Sequence, residues 1–101
     1  MDRETAAGII RARRAELEAL GVVRLALFGS VARNEQTESS DVDVAVTLAP
    51  NRPRGLAAIG QLMDIEERLR EALGRPVDVI VEPVGKPAIQ AAIERDRFEV
   101  Y

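Results

Sequence analysis

The stretch that decides the fold runs from Phe28 to Val46 and reads FGSVARNEQTESSDVDVAV. Side chains alternate along a β-strand, so Asp41 and Asp43 are expected on one face, about 6–7 Å apart. The alternating residues Val42, Val44 and Val46 then face a core. Aspartate is uncommon in strands, and two on one face repel each other unless a cation lies between them. The pattern therefore predicts a site for a hard divalent cation such as Mg²⁺, with nucleotide phosphates completing its shell.

A third carboxylate, Asp78, lies in the valine-rich segment Pro76–Val81, which also has the alternation of a strand. If this strand pairs with the one that carries Asp41 and Asp43, the three carboxylates converge. Two Mg²⁺ ions can then clamp the attacking and leaving oxygens of a phosphoryl displacement. The alternative for Asp78 is a solvent-facing position on a one-sided sheet.

Gly29 and Ser30 form the second part of the predicted site, because they follow an apolar segment, Val22–Phe28, that reads as a strand. A short helix, Ser30–Arg33, is expected next, with its N–H groups directed at phosphate. Gly29 would let the backbone approach the phosphates. Ser30 would cap the helix and donate to a phosphate oxygen; the alternative is a cap alone.

Arg33 has several possible partners in the sequence. It could reach the triphosphate or a partner protein, and pairing with Glu35 or Glu38 is the structural alternative. Asn34 follows it and tolerates a positive φ, so a tight turn is possible there.

Three further helices are predicted from apolar residues at steps of three and four, covering Arg3–Leu20, Leu56–Leu73 and Ala88–Arg95. Gly21 and Gly74 are stop signals for the first two, and Ile89 and Ile93 of the third are expected to face inward. Arg11, Arg13 and Arg14 form either a solvated face or a contact for a partner protein or its nucleic acid. The order α-β-α-β-α-β-α predicts an α/β (α+β) fold with a small mixed sheet and helices mainly on one face. At this length, residues 1–101 are expected to be a single domain.

Composition narrows the chemistry further. The chain has no cysteine and no histidine, so catalysis must use carboxylates, metals and arginines. A net charge of −3 and only three aromatic residues give no reason to expect direct nucleic-acid binding. No apolar run suggests a membrane segment, and the lack of cysteine favours a reducing compartment, so a cytoplasmic protein is expected.

The Gly29-Ser30 pair, the Asp41-x-Asp43 strand and the later strand aspartate Asp78 resemble the DNA polymerase β nucleotidyltransferase superfamily. More narrowly, the whole chain resembles the minimal nucleotidyltransferase (MNT) antitoxins of HEPN/MNT toxin–antitoxin pairs. Members usually have glycine after the arginine of the Gly-Ser-x-x-Arg motif, where this chain has Asn34.

This resemblance implies a polymerase β-like fold and a Mg²⁺-dependent, type VII-like antitoxin. Such an enzyme transfers AMP from ATP to a tyrosine of a cognate HEPN ribonuclease toxin, with which it forms a hetero-oligomer. Asp41, Asp43 and Asp78 would be the catalytic and metal-binding residues, and Gly29, Ser30 and Arg33 would bind the nucleotide. Two alternatives remain: an antitoxin that only masks the toxin, and a nucleotidyltransferase for a small molecule.

Overall fold

The computed structural model describes residues 1–101 and contains five helices and four strands. Their bounds are α1 Arg3–Arg11, α2 Arg14–Ala19, β1 Val22–Phe28, α3 Gly29–Ala32, β2 Val42–Leu48, α4 Leu56–Leu73, β3 Val77–Val81, α5 Pro87–Asp96 and β4 Phe98–Glu99. None of the helices combines the length and the apolar character needed to cross a bilayer.

The first helix is divided in two, which corrects the single helix predicted from Arg3 to Leu20. The chain turns between α1 and α2, where the N–H of Arg13 donates to the carbonyl of Ile10 at 2.9 Å. Each piece buries its own apolar residue completely, Ile10 in α1 and Leu17 in α2. The break lets two short helices each direct an apolar side chain into the core.

The four strands form one mixed sheet in the order β3-β2-β1-β4, which confirms the predicted fold class. Strand β1 is antiparallel to both β2 and β4, whereas β2 and β3 are parallel. Parallel neighbours need a crossover connection, which α4 supplies between them. The register places Asp43 directly beside Asp78. Strand β4 is absent from the sequence prediction, because two residues are too few to show alternation.

The main core lies on the sheet face opposite Asp43. The fully buried residues Val42, Val44 and Val46 of β2 belong to it, as the alternation predicts. Helices α1 and α4 contact each other, and α4 also contacts β3. Helix α5 contacts β1 and α3, and its Ile93 is buried outside this core.

Two apolar segments are more exposed than predicted. Leu56 and Ile59 in the first turns of α4 are 86% and 56% exposed, although the rest of the apolar stripe, including Ile65 and Leu69, is buried. Ile89, expected to face inward, is also exposed. The spacing identifies residues that share a helix face. It does not show that neighbouring elements stop short of Leu56, Ile59 and Ile89, which therefore stay exposed. Gly74 ends α4 in the left-handed conformation, as expected for a helix stop.

Candidate active site

The predicted carboxylates meet where β2 and β3 begin. Asp43 is the second residue of β2 and is partly buried, and its neighbour in the parallel register, Asp78, is the exposed second residue of β3. Asp41 was predicted inside the strand, but β2 starts at Val42, so Asp41 directly precedes it and is exposed. Adjacent strands lie about 4.8 Å apart, so this register brings Asp43 and Asp78 side by side.

The electrostatics of Asp43 reflect its burial and the charged side chains around it. Burial is the main reason that the pKa of Asp43 lies above its ordinary value. The negative charges of Asp78 and Asp41 raise this pKa further, while the positive charge of Arg33 lowers it. Each additional negative charge disfavours ionisation of Asp43, so a cation placed among these groups would relieve the repulsion.

As the side chains stand, no group of three or more carboxylates forms a set that could hold a metal ion. Asp43 and Asp78 are neighbours in the strand register and the charge of Asp41 acts on Asp43, but the three do not form a closed ligand cage. Their chemistry nevertheless fits Mg²⁺, which is typically bound through one or two carboxylates and completes its shell with water and substrate phosphates. The residues present therefore suit an ion that arrives together with a nucleotide.

Gly29 lies against Asp43, and this contact gives it a role that the sequence did not reveal. Its φ is +73°, in the left-handed region that favours glycine. A Cβ built on Gly29 would overlap the Oδ2 atom of Asp43 and lie 3.1 Å from its Cγ. The sequence prediction gave phosphate approach as the reason for glycine here. In the structure, the glycine makes room for the carboxylate of Asp43.

Ser30 is the second residue of α3, which is a single turn of four residues. The cap position is Phe28, and no side chain makes a capping hydrogen bond, so the predicted capping role of Ser30 is wrong. The carbonyl of Ser30 accepts from the N–H of Glu35 at 2.9 Å, closing the turn after the helix. Asn34 in this turn has a φ of +57°, as expected from its tolerance of that conformation.

Arg33 is held by two carboxylates in the structure. Its Nε lies 3.0 Å from Oε2 of Glu35, one of the pairings considered from the sequence, and no ion pair with Glu38 forms. Its NH1 lies 2.6 Å from Oδ2 of Asp96 at the end of α5. The sequence does not predict the contact with Asp96, because Asp96 is 63 positions from Arg33 and no local pattern links the two residues. Both carboxylates raise the pKa of Arg33, and the charge of Arg33 in turn lowers the pKa of Asp43.

The carboxylates lie on an open surface rather than in a cleft. The two surface cavities are lined by residues at the far end of β2, in the loop that follows it and along α4. None of the six predicted site residues lines either cavity. A ligand that used Asp43 and Gly29 would therefore bind outside both cavities.

Comparisons with known proteins agree with this geometry. Residues 9–99 match the model of the nucleotidyltransferase domain family. A relative from Methanocaldococcus jannaschii, named "Putative protein adenylyltransferase MJ1379", is 37% identical over 80 residues, which cover 78% of this chain and 77% of that protein. "Protein adenylyltransferase MntA" of Thermococcus cleftensis is 32% identical over 89 residues, which cover 87% of this chain and 85% of the relative.

Solved structures show the same fold. One described as a "putative minimal nucleotidyltransferase" has a TM-score of 0.70 and 31% identity, covering 97% of this chain and 95% of its own. A toxin–antitoxin complex with AMP-PNP has a TM-score of 0.68 at 19% identity, with coverage of 89% and 71%. A complex of a tri-AMPylated Shewanella oneidensis HEPN toxin with an MNT antitoxin has a TM-score of 0.63 at 16% identity, with coverage of 98% and 71%. The last two similarities concern the fold alone.

Proposed function

This chain belongs to the nucleotidyltransferase domain family, and we propose that it transfers AMP from Mg²⁺–ATP to a tyrosine hydroxyl of a HEPN-family ribonuclease toxin. In this role it would be the antitoxin of a toxin–antitoxin pair in the cytoplasm, in a hetero-oligomeric complex with its target. The curated relatives named as protein adenylyltransferases support the reaction. The AMPylated HEPN toxin bound to an MNT antitoxin of the same fold supports the target.

The observation that carries the proposal is the side-by-side placement of Asp43 and Asp78, with Gly29 against Asp43. Like charges on neighbouring strands destabilise their pairing, so the placement of Asp43 beside Asp78 favours a bound cation as its purpose. In another complex of the same fold, between MntA and HpeT, two aspartates separated by one residue are both replaced by glutamate. Asp41 and Asp43 have that spacing.

The proposed chemistry is an in-line displacement. The tyrosine oxygen forms a bond to the α-phosphorus of ATP, the bond from that phosphorus to the bridging oxygen breaks, and pyrophosphate leaves with the bonding electrons. Asp41 and Asp43 would hold the ion carried by the triphosphate, and Asp78 would join them in holding a second one. When bound, Mg²⁺ neutralises phosphate charge and lowers the pKa of the hydroxyl. Asp78, which is exposed, can accept the hydroxyl proton.

The nucleotide-binding roles of Gly29, Ser30 and Arg33 rest on their positions around Asp43. The Ser30 hydroxyl makes no hydrogen bond within the chain, so it can donate to a phosphate oxygen. Arg33 is 39% exposed and already acts on the charge of Asp43, so its guanidinium can also face a phosphate. Its ion pairs with Glu35 and Asp96 would keep it on this side of the molecule.

Calorimetry tests the binding step. We expect the protein to bind ATP in the presence of Mg²⁺ and to bind it much more weakly in EDTA, because carboxylates repel a triphosphate that carries no cation. The Asp41→Asn/Asp43→Asn variant should lose the Mg²⁺-dependent part, since amides are poor ligands for a hard cation. Equal or absent heats under both conditions would contradict the proposed site.

Co-expression with a HEPN toxin tests the transfer step. Wild-type protein should yield toxin heavier by one or more AMP units in intact-mass measurements, and the double variant should yield unmodified toxin without protecting the cells. The absence of a closed ligand cage favours one of the two alternatives, an antitoxin that masks the toxin without modifying it. Full protection by the double variant, with no change in toxin mass after co-expression with wild type or with the variant, would establish that alternative.

A further inference from the structure

Helix α4 carries an exposed apolar surface at the end of the sheet opposite the carboxylates. Leu56, Ile59 and Met63 are 86%, 56% and 62% exposed. Steps of three and four residues place them on one side of the helix. Beyond Met63 the same side continues with the ion pair between Glu66 and Arg70, at 2.9 Å, so the apolar row ends there.

Next to this row lies a cavity of about 680 Å³ where β2 and β3 end. Leu48 and Val81, the last residues of those strands, form part of its wall, together with Ile59. Leu56 and Met63 lie outside it, so a small molecule in the cavity would leave both exposed. An elongated apolar partner would cover the row and the cavity together.

The cavity is lined by two positive side chains and no negative one, although the chain as a whole is negative. Arg52 and Arg54 line the cavity, are exposed and form no ion pair. Residues 49–63 contain these two arginines and no acidic residue, in a chain with a net charge of −3. A partner that fits this surface therefore combines an apolar row with acidic side chains.

We propose that this surface, the α4 groove, binds an amphipathic helix of a partner protein that carries apolar anchors and flanking glutamates or aspartates. Apolar grooves of this kind bind helices through anchors one helical turn apart. A second copy of this chain fits less well, because a twofold contact places the same patch on both subunits, and the cavity lining has no acidic residue to pair with the arginines of the other copy. Two arginines without aromatic residues are also a poor surface for nucleic acid.

The α4 groove is separate from the carboxylates. Leu48 lies five residues beyond Asp43 on the same strand, about 16 Å away at 3.3 Å per residue. Binding in the groove and chemistry at Asp43 can therefore be removed independently by substitution. This proposal does not depend on the transferase activity, and its failure would be distinguishable from a failure of the proposed function.

Fluorescence anisotropy with two labelled synthetic helices tests the proposal. Both carry leucines at one-turn spacing, one with flanking glutamates and the other with lysines at the same positions. Wild-type protein should bind the acidic helix about tenfold or more tightly than the basic one, and Ile59→Glu should lose at least about tenfold in affinity. The Arg52→Glu/Arg54→Glu variant should reverse the preference. Because these residues are exposed, the variants should keep the wild-type circular dichroism and thermal midpoint.

Two matched controls accompany these measurements. Val23 is also exposed, at 45%, but belongs to β1, so Val23→Glu should bind the acidic helix like wild type. Asp43→Asn should do so as well. Failure to bind the acidic helix, or equal binding by wild type and Ile59→Glu, would overturn the proposal. If wild type is a dimer in ultracentrifugation and Ile59→Glu is a monomer, the groove binds a second copy instead. If wild type sediments with phosphatidylglycerol vesicles and Ile59→Glu does not, the groove binds a membrane instead.

Discussion

Replacing Gly29 by alanine tests whether this glycine exists to accommodate Asp43. The left-handed conformation costs an L-residue roughly 1–2 kcal/mol. The new Cβ also overlaps the Asp43 carboxylate, and moving that side chain off its rotamer costs roughly 0.5–1.5 kcal/mol. Reduced freedom of the unfolded chain returns about 0.4–1 kcal/mol. We expect Gly29→Ala to lower the free energy of unfolding by a net amount of about 0.5–3 kcal/mol.

The chain offers two glycines as controls. Gly74 has a φ of +68°, but no atom lies within 4 Å of the position that a Cβ would take, so Gly74→Ala isolates the conformational cost. Gly60 lies inside α4 with equally open surroundings and no positive φ, so Gly60→Ala should raise stability by about 1 kcal/mol. Urea unfolding followed by circular dichroism gives all three values.

A double-mutant cycle with Asp43→Ala separates the clash from the conformational cost. Once the carboxylate is removed, Gly29→Ala should cost about as much as Gly74→Ala, which leaves a coupling of about 0.5–1.5 kcal/mol with Asp43. In the wild-type background Gly29→Ala should also weaken binding of Mg²⁺–ATP, because Asp43 is displaced. If Gly29→Ala costs the same with and without the carboxylate, the contact with Asp43 is not the reason for glycine at this position.

Four other predictions concern the carboxylates and the single tyrosine. In the absence of metal, Asp43→Asn should leave stability unchanged or raise it at pH 7 by removing repulsion with Asp78, whereas Val44→Ala in the core should cost about 1–3 kcal/mol in urea unfolding. The pKa of Asp43 is raised in the folded protein, so its ionisation disfavours the folded state. The stability gained by Asp43→Asn over wild type should therefore shrink as the pH falls towards about 4, where Asp43 becomes protonated. A stability difference that does not change with pH would contradict this. Mg²⁺ with ATP should raise the thermal midpoint of wild type and not of Asp43→Asn, and an equal rise in both would place the ion elsewhere. Burial, aided by the charge of Glu18, raises the pKa of Tyr101 to about 12 in the folded protein. The unfolded chain ionises this tyrosine from about pH 10, so the free energy of unfolding should be unaffected by Tyr101 below that pH and fall as the pH approaches 12. Absorbance at alkaline pH follows this one tyrosine, and an ordinary midpoint would show that its ring is not buried.

Much of the sheet could be predicted because alternation is a local property. Val42, Val44 and Val46 are buried as the pattern indicates, and Asp43 falls on the opposite face. The pairing with Asp78 was a hypothesis about two separate segments, and the parallel register confirms that these two residues are neighbours.

The errors concern features that local patterns do not encode. The break between α1 and α2 contains neither glycine nor proline, and it depends on how Ile10 and Leu17 reach the core. Ile89 has helical spacing to the buried Ile93, but burial depends on which element lies opposite. The contact between Arg33 and Asp96 joins residues that only the folded chain brings together.

The sheet has two outer strands, and they differ in their capacity to pair with another molecule. Strand β4 has only two residues, whereas β3 has five and a free side. Pro76 and Pro83 flank β3 and lack N–H groups, and Arg70 donates to the carbonyl of Val77 at 3.4 Å. Charge on an outer strand opposes edge-to-edge aggregation. Asp78 therefore has a second consequence for the protein, since its negative charge protects the longer edge from becoming a template for another chain.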